Sequence, residues 1–391
     1  MKPIVLLFVA CYLPGFRGGG PIRTIANLVD KLGNDFDFKI VTMDRDLGDT
    51  CPYANISANE WHSVGKAQVL YTSSDMRSYK SLFRLLNETK HDILYLNGFF
   101  QPNFTVKPLI LRKLKRSIRR PTIVAPHGEF SPNALSLKRF KKSVFMIFER
   151  FFGLYENVVW HASTKYEALD IHKSRGIPVD EVLVAKNIVA EPEIIDTELL
   201  VSERIESSVL SVCFLSRISP MKNLTYALKI LSEVKIETSF NIYGPKESAD
   251  YWKACQELID KLPSNIMVSY LGSVSPENVR NIISKHDIFF VPTLGENFGH
   301  VFIEALSSGV PILVSDKTPW RGLKERNVGW DISLDKPSDF VNALHDVGRF
   351  NKTRRKSIRK SCIEYAFDQT RNSSVVEMNK NLFLQALNAP R

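Results

Sequence analysis

The sequence has few cysteines, no long apolar run and no low-complexity tract. No apolar stretch approaches the roughly 20 residues that a membrane-spanning helix requires. The five cysteines are scattered and have no C-x-x-C spacing, which indicates reduced thiols in a cytosol and argues against a zinc site or a disulfide framework. We find no internal repeat, which excludes a solenoid or a propeller.

The length and composition are those of a two-domain globular protein. The chain has 391 residues, of which 44% are hydrophobic and 24% charged, and it is too long for one ordinary domain. In the first half, apolar runs alternate with helical patterns. The predicted strands cover residues 4–10, 38–42, 67–71, 93–97, 122–125, 158–162 and 182–185. Such alternation is typical of a parallel sheet with helices on both faces.

A polar, acidic stretch over residues 191–208 interrupts this alternation and is predicted to be a linker. The pattern then restarts, with predicted strands at 209–215, 239–243 and 267–271 and predicted helices at 222–234 and 251–262. We therefore predict two Rossmann-like α/β domains. The N-terminal domain covers 1–190, the C-terminal domain covers 209–367, and a final helix covers 368–391.

The first residues allow two interpretations. A short charged start followed by the apolar stretch 4–13 has the character of a signal peptide. Glycines and a helical pattern follow directly, which favours a buried first strand that leads into a helix. We predict the strand.

Two glutamates flank a turn that runs into a helical pattern in the second half. Glu296 and Glu304 lie eight positions apart, after the apolar run 288–291 and before the apolar run 311–314. This order indicates a strand, a loop, a helix and a second strand. In a sheet of such units, ligands bind beyond the carboxyl ends of the strands.

A helix that begins near Gly299 directs free N–H groups at this loop and favours an anion there. The arrangement suits a sugar nucleotide, with the diphosphate at the helix N-terminus, Glu304 on the ribose hydroxyls and Glu296 facing the sugar. Two surface glutamates also occur at this spacing by chance. The strands on either side and the intervening Asn297 and Phe298 favour the functional interpretation.

Two cations follow the first strand of the second half. Arg217 lies in the predicted loop, and Lys222 lies five residues later at the predicted helix start. A cation at a helix N-terminus is disfavoured by the helix dipole unless an anion lies between them. Surface bases are common, but this position favours phosphate binding and stabilisation of a leaving nucleoside diphosphate.

Glycines and histidines follow other predicted strands. Three glycines at 18–20 come after the first strand, where backbone N–H groups can approach a ligand, although many such turns are only tight connections. His127 and His161 each follow a strand of the first half, and a lone histidine is more often structural. Asn97 and Gly244 also follow predicted strands.

Together these segments resemble the donor-site signature of retaining, nucleotide-sugar-dependent glycosyltransferases of family 4. The resemblance implies the GT-B fold, in which two Rossmann-like domains face each other across a cleft and a C-terminal helix crosses back to the first domain. It is specific from Ser211 to Trp320. It is looser in the first domain, where it depends on the glycine-rich loop and the turn around His127. His300 departs from the aliphatic residue that is commonest in the family.

The resemblance also implies roles for individual residues. It implies that Glu296 and His127 are catalytic, Glu296 by orienting the sugar and His127 by stabilising the oxocarbenium-like centre. The implied donor-binding residues are Gly19, Gly20, Arg217, Lys222, Gly244, Val274, Asn297, Phe298, Gly299, Val301 and Glu304. Asn97 is expected to border the acceptor.

The activity that the resemblance implies is hexosyl transfer. The donor is a UDP- or GDP-linked sugar, and the acceptor is a hydroxyl of a saccharide or lipid-linked saccharide in the synthesis of a cell-surface polysaccharide such as lipopolysaccharide. The mechanism proposed for the family is front-face attack, in which the departing phosphate oxygen helps to deprotonate the acceptor. A nucleotide-sugar epimerase with the GT-B fold and a non-enzymatic, basic nucleic-acid-binding protein are the alternatives.

No cofactor and no metal are expected. Asp44 and Asp46 have the D-x-D spacing that binds a metal in the other large glycosyltransferase fold. They lie in the polar segment 44–63, which is predicted to be a functional loop of the first domain, far in the sequence from the donor residues. We therefore predict no metal site there, and no cluster elsewhere has metal-ligand spacing.

The net charge of +10 is concentrated in two basic stretches, residues 107–120 and 138–142. The second runs into an aromatic-rich helical pattern over 144–152. Docking on an anionic membrane surface and two ordinary solvated helices both fit this pattern. No helix-turn-helix, zinc-finger or RNA-recognition signature accompanies the charge, so we expect no nucleic-acid partner. The predicted location is the cytoplasm, with docking at the inner face of the cell membrane as the open alternative.

Overall fold

The computed structural model describes residues 2–190, 209–371 and 373–389. The chain forms two compact units: residues 1–189 with 372–391, and residues 190–371. Each unit contains a sheet of mainly parallel strands, which agrees with the predicted Rossmann-like architecture. The predicted linker, residues 191–208, lies outside the described residues.

The first unit contains an eight-stranded sheet with the order β3-β4-β2-β1-β5-β6-β7-β8. Its strands are β1 (Ile4–Phe8), β2 (Asp37–Met43), β3 (Trp61–Val64), β4 (Ala67–Thr72), β5 (Ile93–Asn97), β6 (Thr122–Ala125), β7 (Val159–Ala162) and β8 (Val182–Val184). Every neighbouring pair is parallel except β3 and β4. The first strand lies inside the sheet, as predicted.

Helices connect these strands, together with short 3₁₀ turns and a π-helical turn at Pro102–Val106. The α-helices are α1 (Gly20–Leu32), α2 (Tyr79–Glu88), α3 (Lys107–Leu114), α4 (Pro132–Ser136), α5 (Arg139–Phe151) and α6 (Lys165–Arg175). Side chains alternate across a strand, so β1 serves two cores. Val5 and Leu7 pack in one buried cluster, and Leu6 and Phe8 pack in another.

The predicted loop 44–63 is partly a strand. Residues Trp61–Val64 form β3, which pairs antiparallel with β4 through a tight turn at Gly65. Its side chains alternate between exposed and half-buried, so it lacks the continuous apolar run that indicated the other strands.

The second unit contains a six-stranded parallel sheet with the order β11-β10-β9-β12-β13-β14. Its strands are β9 (Leu210–Leu215), β10 (Thr238–Tyr243), β11 (Ile266–Tyr270), β12 (Ile288–Val291), β13 (Ile312–Ser315) and β14 (Gly329–Ile332). The described helices are α7 (Leu224–Leu231), α8 (Ala249–Ile259), α9 (Val279–Ser284), α10 (His300–Ser307), α11 (Pro337–Gly348) and α12 (Lys352–Thr370).

One predicted helix starts later than expected. The prediction placed a helix over 222–234, but Pro220–Lys222 is a 3₁₀ turn and α7 begins at Leu224. Between them Asn223 adopts a left-handed conformation with φ 60°. Asparagine tolerates this conformation better than most residues, and it interrupts the helical path.

The last predicted helix is also wrong in its bounds. It was expected from residue 368, but α12 continues to Thr370 and a separate helix, α13 (Ser373–Leu387), follows. No glycine or proline marks the break. Helix α13 packs within the first unit, as the fold prediction has it: the Phe383 ring lies 5.1 Å from that of Phe36, and Lys380 pairs with Asp35 at 2.6 Å.

All five cysteines are free thiols, and Cys51 is exposed while the others are buried. Within the described residues, every helix is too short or too polar to cross a lipid bilayer.

Candidate active site

The sheet order of the second unit creates a switch point between β9 and β12. The chain moves from β9 outward to β10 and β11 and then returns to place β12 on the other side of β9. The loops that leave the carboxyl ends of β9 and β12 therefore diverge to opposite faces of the sheet. The crevice between such loops is the usual ligand site of an open α/β sheet.

Backbone hydrogen bonds join these two loops. The carbonyl oxygen of Met221, in the turn after β9, accepts hydrogen bonds from the Leu294 amide at 2.8 Å and from Thr293 Oγ1 at 2.9 Å. Asn223 Nδ2 donates to the carbonyl of Pro292 at 3.0 Å. The left-handed conformation of Asn223 thus brings the turn after β9 against the loop after β12.

Lys222 and Glu296 form an ion pair at this junction. Their side chains are 15% and 17% exposed, so the pair is largely shielded from water. The backbone of Glu296 is fixed as well, because its amide donates to the carbonyl of Lys317 at 3.1 Å. Lys222 and Glu296, which were both predicted to bind the donor, therefore lie in direct contact.

The helix after Glu296 begins as predicted. Gly299 has φ 81°, and a Cβ atom there would lie 2.4 Å from the Phe302 ring, so glycine is required. Helix α10 follows from His300, with Val301 in its first turn and Glu304 half-buried one turn further along.

Aromatic packing supports the turn before α10. Trp320 Nε1 donates to the carbonyl of Phe298 at 2.5 Å. The Phe298 ring lies 5.0 Å from the ring of His300, which is buried. Asn297 and Phe298 thus precede the N-terminus of α10 in a braced turn, and His300 contributes to the brace.

Arg217, the other predicted phosphate ligand, has a different partner. Arg217 follows β9, is exposed, and lies 3.4 Å from the Glu247 carboxylate in the loop after β10. Lys222 and Arg217 share the carboxyl end of β9, but each is paired with a separate carboxylate.

The predicted donor-binding residues Gly244 and Val274 lie after β10 and β11. Gly244 has φ 128°, and a Cβ atom there would lie 1.9 Å from the carbonyl oxygen of Ser216. This close approach lets the Gly244 amide reach the carbonyl of Gly272 at 2.7 Å. Val274 is half-buried in the following loop. The loops after β9, β10 and β11 are thereby tied together.

The first unit has its own switch point, between β1 and β5. The glycine-rich loop leaves β1, with Gly19 at φ 68° and open space around it, and Gly20 begins α1. Asp46 fixes the start of this loop, because its Oδ2 accepts the amides of Phe16 at 2.9 Å and Arg17 at 3.1 Å.

The D-x-D pair therefore has structural contacts. The Asp44 carboxylate binds the guanidinium of Arg45 at 2.8 Å, while Asp46 supports the glycine-rich loop. In the ranges that the structure describes, no three His, Cys, Asp or Glu side chains are grouped as a metal site.

His127 and Asn97 meet at the carboxyl ends of β6 and β5. The Nε2 atom of His127 lies 2.6 Å from Asn97 Oδ1. Burial lowers the pKa of His127 to about 4, so the ring is neutral near pH 7. Because an amide oxygen only accepts hydrogen bonds, Nε2 carries the proton, and Nδ1 is left with its lone pair.

Two carboxylates brace the turn around His127. Glu167 Oε1 accepts the Gly128 amide at 2.6 Å, and its Oε2 accepts both the amide and the hydroxyl of Ser163 at 2.8 Å. Glu129 accepts the Phe100 amide at 3.1 Å, and burial raises the pKa of Glu129. His127 itself has φ 50°, a conformation that such bracing holds.

His161 belongs to the interior of the first unit. Its Nδ1 lies 3.0 Å from the Tyr95 hydroxyl, and its Nε2 lies 2.9 Å from the carbonyl of Ala185. Both ring nitrogens are satisfied and the side chain is buried, so His161 has a structural role.

Comparisons with known proteins show what this chain is similar to. Residues 197–364 match the family model described as Glycosyl transferases group 1. The chain is 21% identical over 369 residues to an uncharacterized 41.2 kDa protein in the cps region of Klebsiella pneumoniae, covering 92% of this chain and 94% of that protein.

Solved structures show the same fold over nearly the whole chain. The structure of Anabaena HepE in complex with UDP and glucose has a TM-score of 0.69 and 15% identity, with 98% of this chain and 99% of that chain covered. The structure of WaaG, a glycosyltransferase involved in lipopolysaccharide biosynthesis, has a TM-score of 0.66 and 13% identity, with 97% and 99% covered. The chain therefore has the GT-B fold, and its residues 197–364 are a glycosyl transferases group 1 domain.

Proposed function

We propose that this protein transfers a hexose-type sugar, with retention of configuration, from a UDP- or GDP-linked donor to a hydroxyl of a saccharide or lipid-linked saccharide. The observation that carries the proposal is the contact between Lys222 and Glu296 at the switch point, one turn before the N-terminus of α10. This places a cation, a carboxylate and a helix N-terminus together, as a sugar diphosphate requires.

Each group has a proposed task. Lys222, Arg217 and the first amides of α10 bind the diphosphate, and Glu304 binds the ribose hydroxyls. An ammonium group has three donors, so Lys222 can hold a phosphate oxygen while it keeps its bond to Glu296. Glu296 then orients the sugar hydroxyls close to the bond that breaks.

The proposed chemical step is a front-face displacement. The bond between the anomeric carbon and the phosphate oxygen breaks, and a bond from that carbon to the acceptor oxygen forms on the same face. The departing phosphate oxygen takes the acceptor proton, so no side-chain base is needed. Lys222 and Arg217 stabilise the negative charge that develops on the phosphate. In the first unit, neutral His127 is proposed to contact the sugar, and Asn97 and the glycine-rich loop are proposed to bind on the acceptor side.

The similar proteins support a role in cell-surface polysaccharide synthesis. HepE was solved with UDP and with UDP-glucose, WaaG is involved in lipopolysaccharide biosynthesis, and the Klebsiella relative is encoded in a cps region. We therefore propose a UDP-sugar as the first donor to test and a glycan of the cell envelope as the product.

A donor screen tests the proposal. We expect one class among UDP-, GDP- and ADP-sugars to raise the melting temperature, because a ligand that binds only the folded state stabilises it. The matched donor should then be consumed only when a saccharide acceptor is present, and NMR of the product should give the donor's anomeric configuration. Inversion would contradict retention, and epimerised nucleotide sugar without acceptor would identify an epimerase.

A chelator provides an independent arm. The positive charge that stabilises the leaving group is assigned to Lys222, Arg217 and the α10 amides, so EDTA should leave the rate unchanged. Loss of activity in EDTA that Mn²⁺ restores would overturn this assignment.

A further inference from the structure

Helix α5 has an apolar face that the first unit does not cover. Phe140, Ile147 and Phe151 are 82%, 70% and 83% exposed. Val144 and Phe148 complete a row with spacings of three and four residues, which places all five side chains on one face of the helix. Large apolar side chains that are clustered and exposed in this way indicate an interaction surface.

Cationic side chains flank this face. Lys138, Arg139, Lys141 and Arg150 are exposed. The one acidic residue of α5, Glu149, is fully buried and paired with Arg175 of α6. The stretch 137–152, all of it described, therefore presents aromatic, aliphatic and cationic side chains and one serine to solvent, and no carboxylate.

The inward side of α5 is fixed to the unit, so the apolar face is held outward. Phe145 and Met146 pack against a buried cluster. Lys142 donates to the carbonyl of Ala134 at 2.6 Å and lies 4.9 Å from the centre of the Phe100 ring. The ion pair between Glu149 and Arg175 joins α5 to α6.

The first basic stretch of the sequence does not form a comparable surface. Arg112 donates to the carbonyls of Glu156 and Asn157 at 3.2 and 2.9 Å. Arg119 and Arg120 likewise donate to backbone carbonyls of their own or neighbouring segments. These guanidinium groups stabilise the ends of chain segments, and Leu114 is the one large apolar side chain that residues 107–120 expose. A row of exposed apolar side chains accompanies the positive charge of the second stretch and not that of the first.

We propose that the exposed face of α5 docks on the surface of a lipid bilayer that contains anionic lipid. Phe140, Ile147 and Phe151 would enter the boundary between headgroups and acyl chains, and Lys138, Arg139 and Lys141 would bind lipid phosphates. An interfacial helix combines an apolar face with flanking cations in this way. The proposal depends on this surface alone and uses no residue of the donor site.

Charge distinguishes a bilayer from a second copy of the chain. A two-fold contact through this face would bring the same residues of both copies together, including Lys138, Arg139 and Lys141. No exposed carboxylate of α5 is present to neutralise them, and like charges at an interface oppose association. An anionic membrane supplies the missing negative charge.

Vesicle sedimentation of the full chain tests the proposal. We expect the wild type to partition at least tenfold more strongly onto vesicles of equal phosphatidylcholine and phosphatidylglycerol than onto pure phosphatidylcholine, with binding that weakens as salt is added. Combined F140S, I147S and F151S should lower partitioning at least tenfold, because these side chains supply the buried apolar area.

Charge-matched variants distinguish the effect of the cations beside the α5 face from the effect of the protein's net charge. Combined K138Q, R139Q and K141Q should lower partitioning about tenfold or more. Combined K253Q, K352Q and K356Q removes the same charge from exposed helix positions of the second unit and should bind as the wild type does. L114S, which removes another exposed apolar side chain of the first unit, should also bind vesicles as the wild type does.

The outcomes decide the proposal as follows. Since all substituted side chains are exposed, melting temperatures should stay within a few degrees of the wild type. Normal vesicle binding by the folded apolar-face variant (F140S, I147S and F151S) or by the folded α5 charge variant (K138Q, R139Q and K141Q) would overturn the proposal. So would absence of wild-type binding to anionic vesicles at low salt. Self-association that is lost in the aromatic variant, without vesicle binding, would identify a second copy as the occupant and also overturn it.

Discussion

Lys222 and Glu296 are separated by 74 residues in the sequence and form an ion pair in the second unit. Neither side chain is held by its own segment alone. The turn that carries Lys222 accepts the backbone and side-chain donors of the loop that carries Glu296, through the carbonyl of Met221. The pair is therefore positioned by the backbone before any donor arrives, which reduces the reorganisation that binding requires.

Replacing Glu296 by glutamine should lower kcat about 100-fold or more while the fold is kept. The amide has the shape of the carboxylate but lacks the negative charge that faces the proposed sugar and Lys222. The measurement is the rate of nucleoside diphosphate release, with circular dichroism and melting temperature as checks on folding.

A matched variant is Glu364→Gln, which removes a carboxylate from an exposed ion pair with Lys360 on α12. It should be active. Turnover of the Glu296→Gln variant at the wild-type rate would remove this carboxylate from the mechanism, whatever its effect on stability.

Lys222→Gln and Arg217→Gln should each weaken nucleoside diphosphate binding about tenfold or more, since each removes a charge-assisted contact to phosphate. Their effects on unfolding should differ. Lys222→Gln leaves the shielded Glu296 carboxylate without its cation and should destabilise the protein, whereas the exposed pair of Arg217 and Glu247 should contribute less than about 1 kcal/mol.

Calorimetry with UDP or GDP and urea unfolding measure the two effects. Glu247→Gln is the control for Arg217, because it breaks the same ion pair without removing the proposed phosphate ligand. Equal loss of nucleotide affinity in Glu247→Gln and Arg217→Gln would assign Arg217 a structural role instead.

Strands with continuous apolar runs were predictable from the sequence. The bounds of Ile93–Asn97, Thr122–Ala125 and Ile288–Val291 agree with the prediction residue by residue. Buried parallel strands are apolar on both faces, so the apolar run in the sequence and the strand in the structure have the same bounds. The edge strand Trp61–Val64 has no such run and was missed.

The positions of the site residues along strands and helices were predictable, but their contacts were not. The pairing of Lys222 with Glu296 depends on two loops that only the sheet order brings together. The supporting roles of Asp46, Asn223 and Glu167 depend on single polar residues whose backbone partners are up to 69 residues away. No periodicity marks them.

Substituting alanine at Gly244 should cost about 2 to 3 kcal/mol or more of unfolding free energy. The added Cβ would lie 1.9 Å from the carbonyl of Ser216 at φ 128°, so the turns after β9 and β10 must separate. Gly272→Ala is the matched control, because Gly272 has φ 77° and no atom near the new Cβ. It should cost only the backbone strain, about 1 to 2 kcal/mol. Urea unfolding of both variants measures the difference, and equal losses would contradict the steric argument.

Asn97→Asp should raise the pKa of His127 from about 4 toward its usual range. In the wild type, burial disfavours the imidazolium and Asn97 presents a neutral oxygen to Nε2. A carboxylate at the same place favours the charged ring, which changes Nδ1 from an acceptor to a donor. NMR titration of the His127 ring measures the pKa, and kcat/KM should fall at pH values where the variant ring is protonated. An unchanged pKa would indicate that Asn97 does not control the ring.

The unfolding free energy of the wild type should decrease as pH falls from about 6.5 toward 4, in part because of His161. Burial lowers the pKa of His161 to about 4, whereas an unfolded histidine titrates near 6.5. Between these values the unfolded chain binds more protons than the folded one, so stability rises with pH and is lost on acidification.

The hydrogen bonds of His161 explain why its protonation destabilises the folded state. Nδ1 of His161 accepts from the Tyr95 hydroxyl, and a protonated Nδ1 cannot accept, while Nε2 already donates to the carbonyl of Ala185. His127, whose ring lies near that of His161, is expected to lower acid stability in the same way. The His161→Gln substitution should therefore remove only part of the pH dependence: between pH 6.5 and 4.5 the variant should lose about 2 kcal/mol less unfolding free energy than the wild type. Urea unfolding at each pH is the measurement, and parallel curves for the wild type and His161→Gln would show that the buried ring does not govern acid stability.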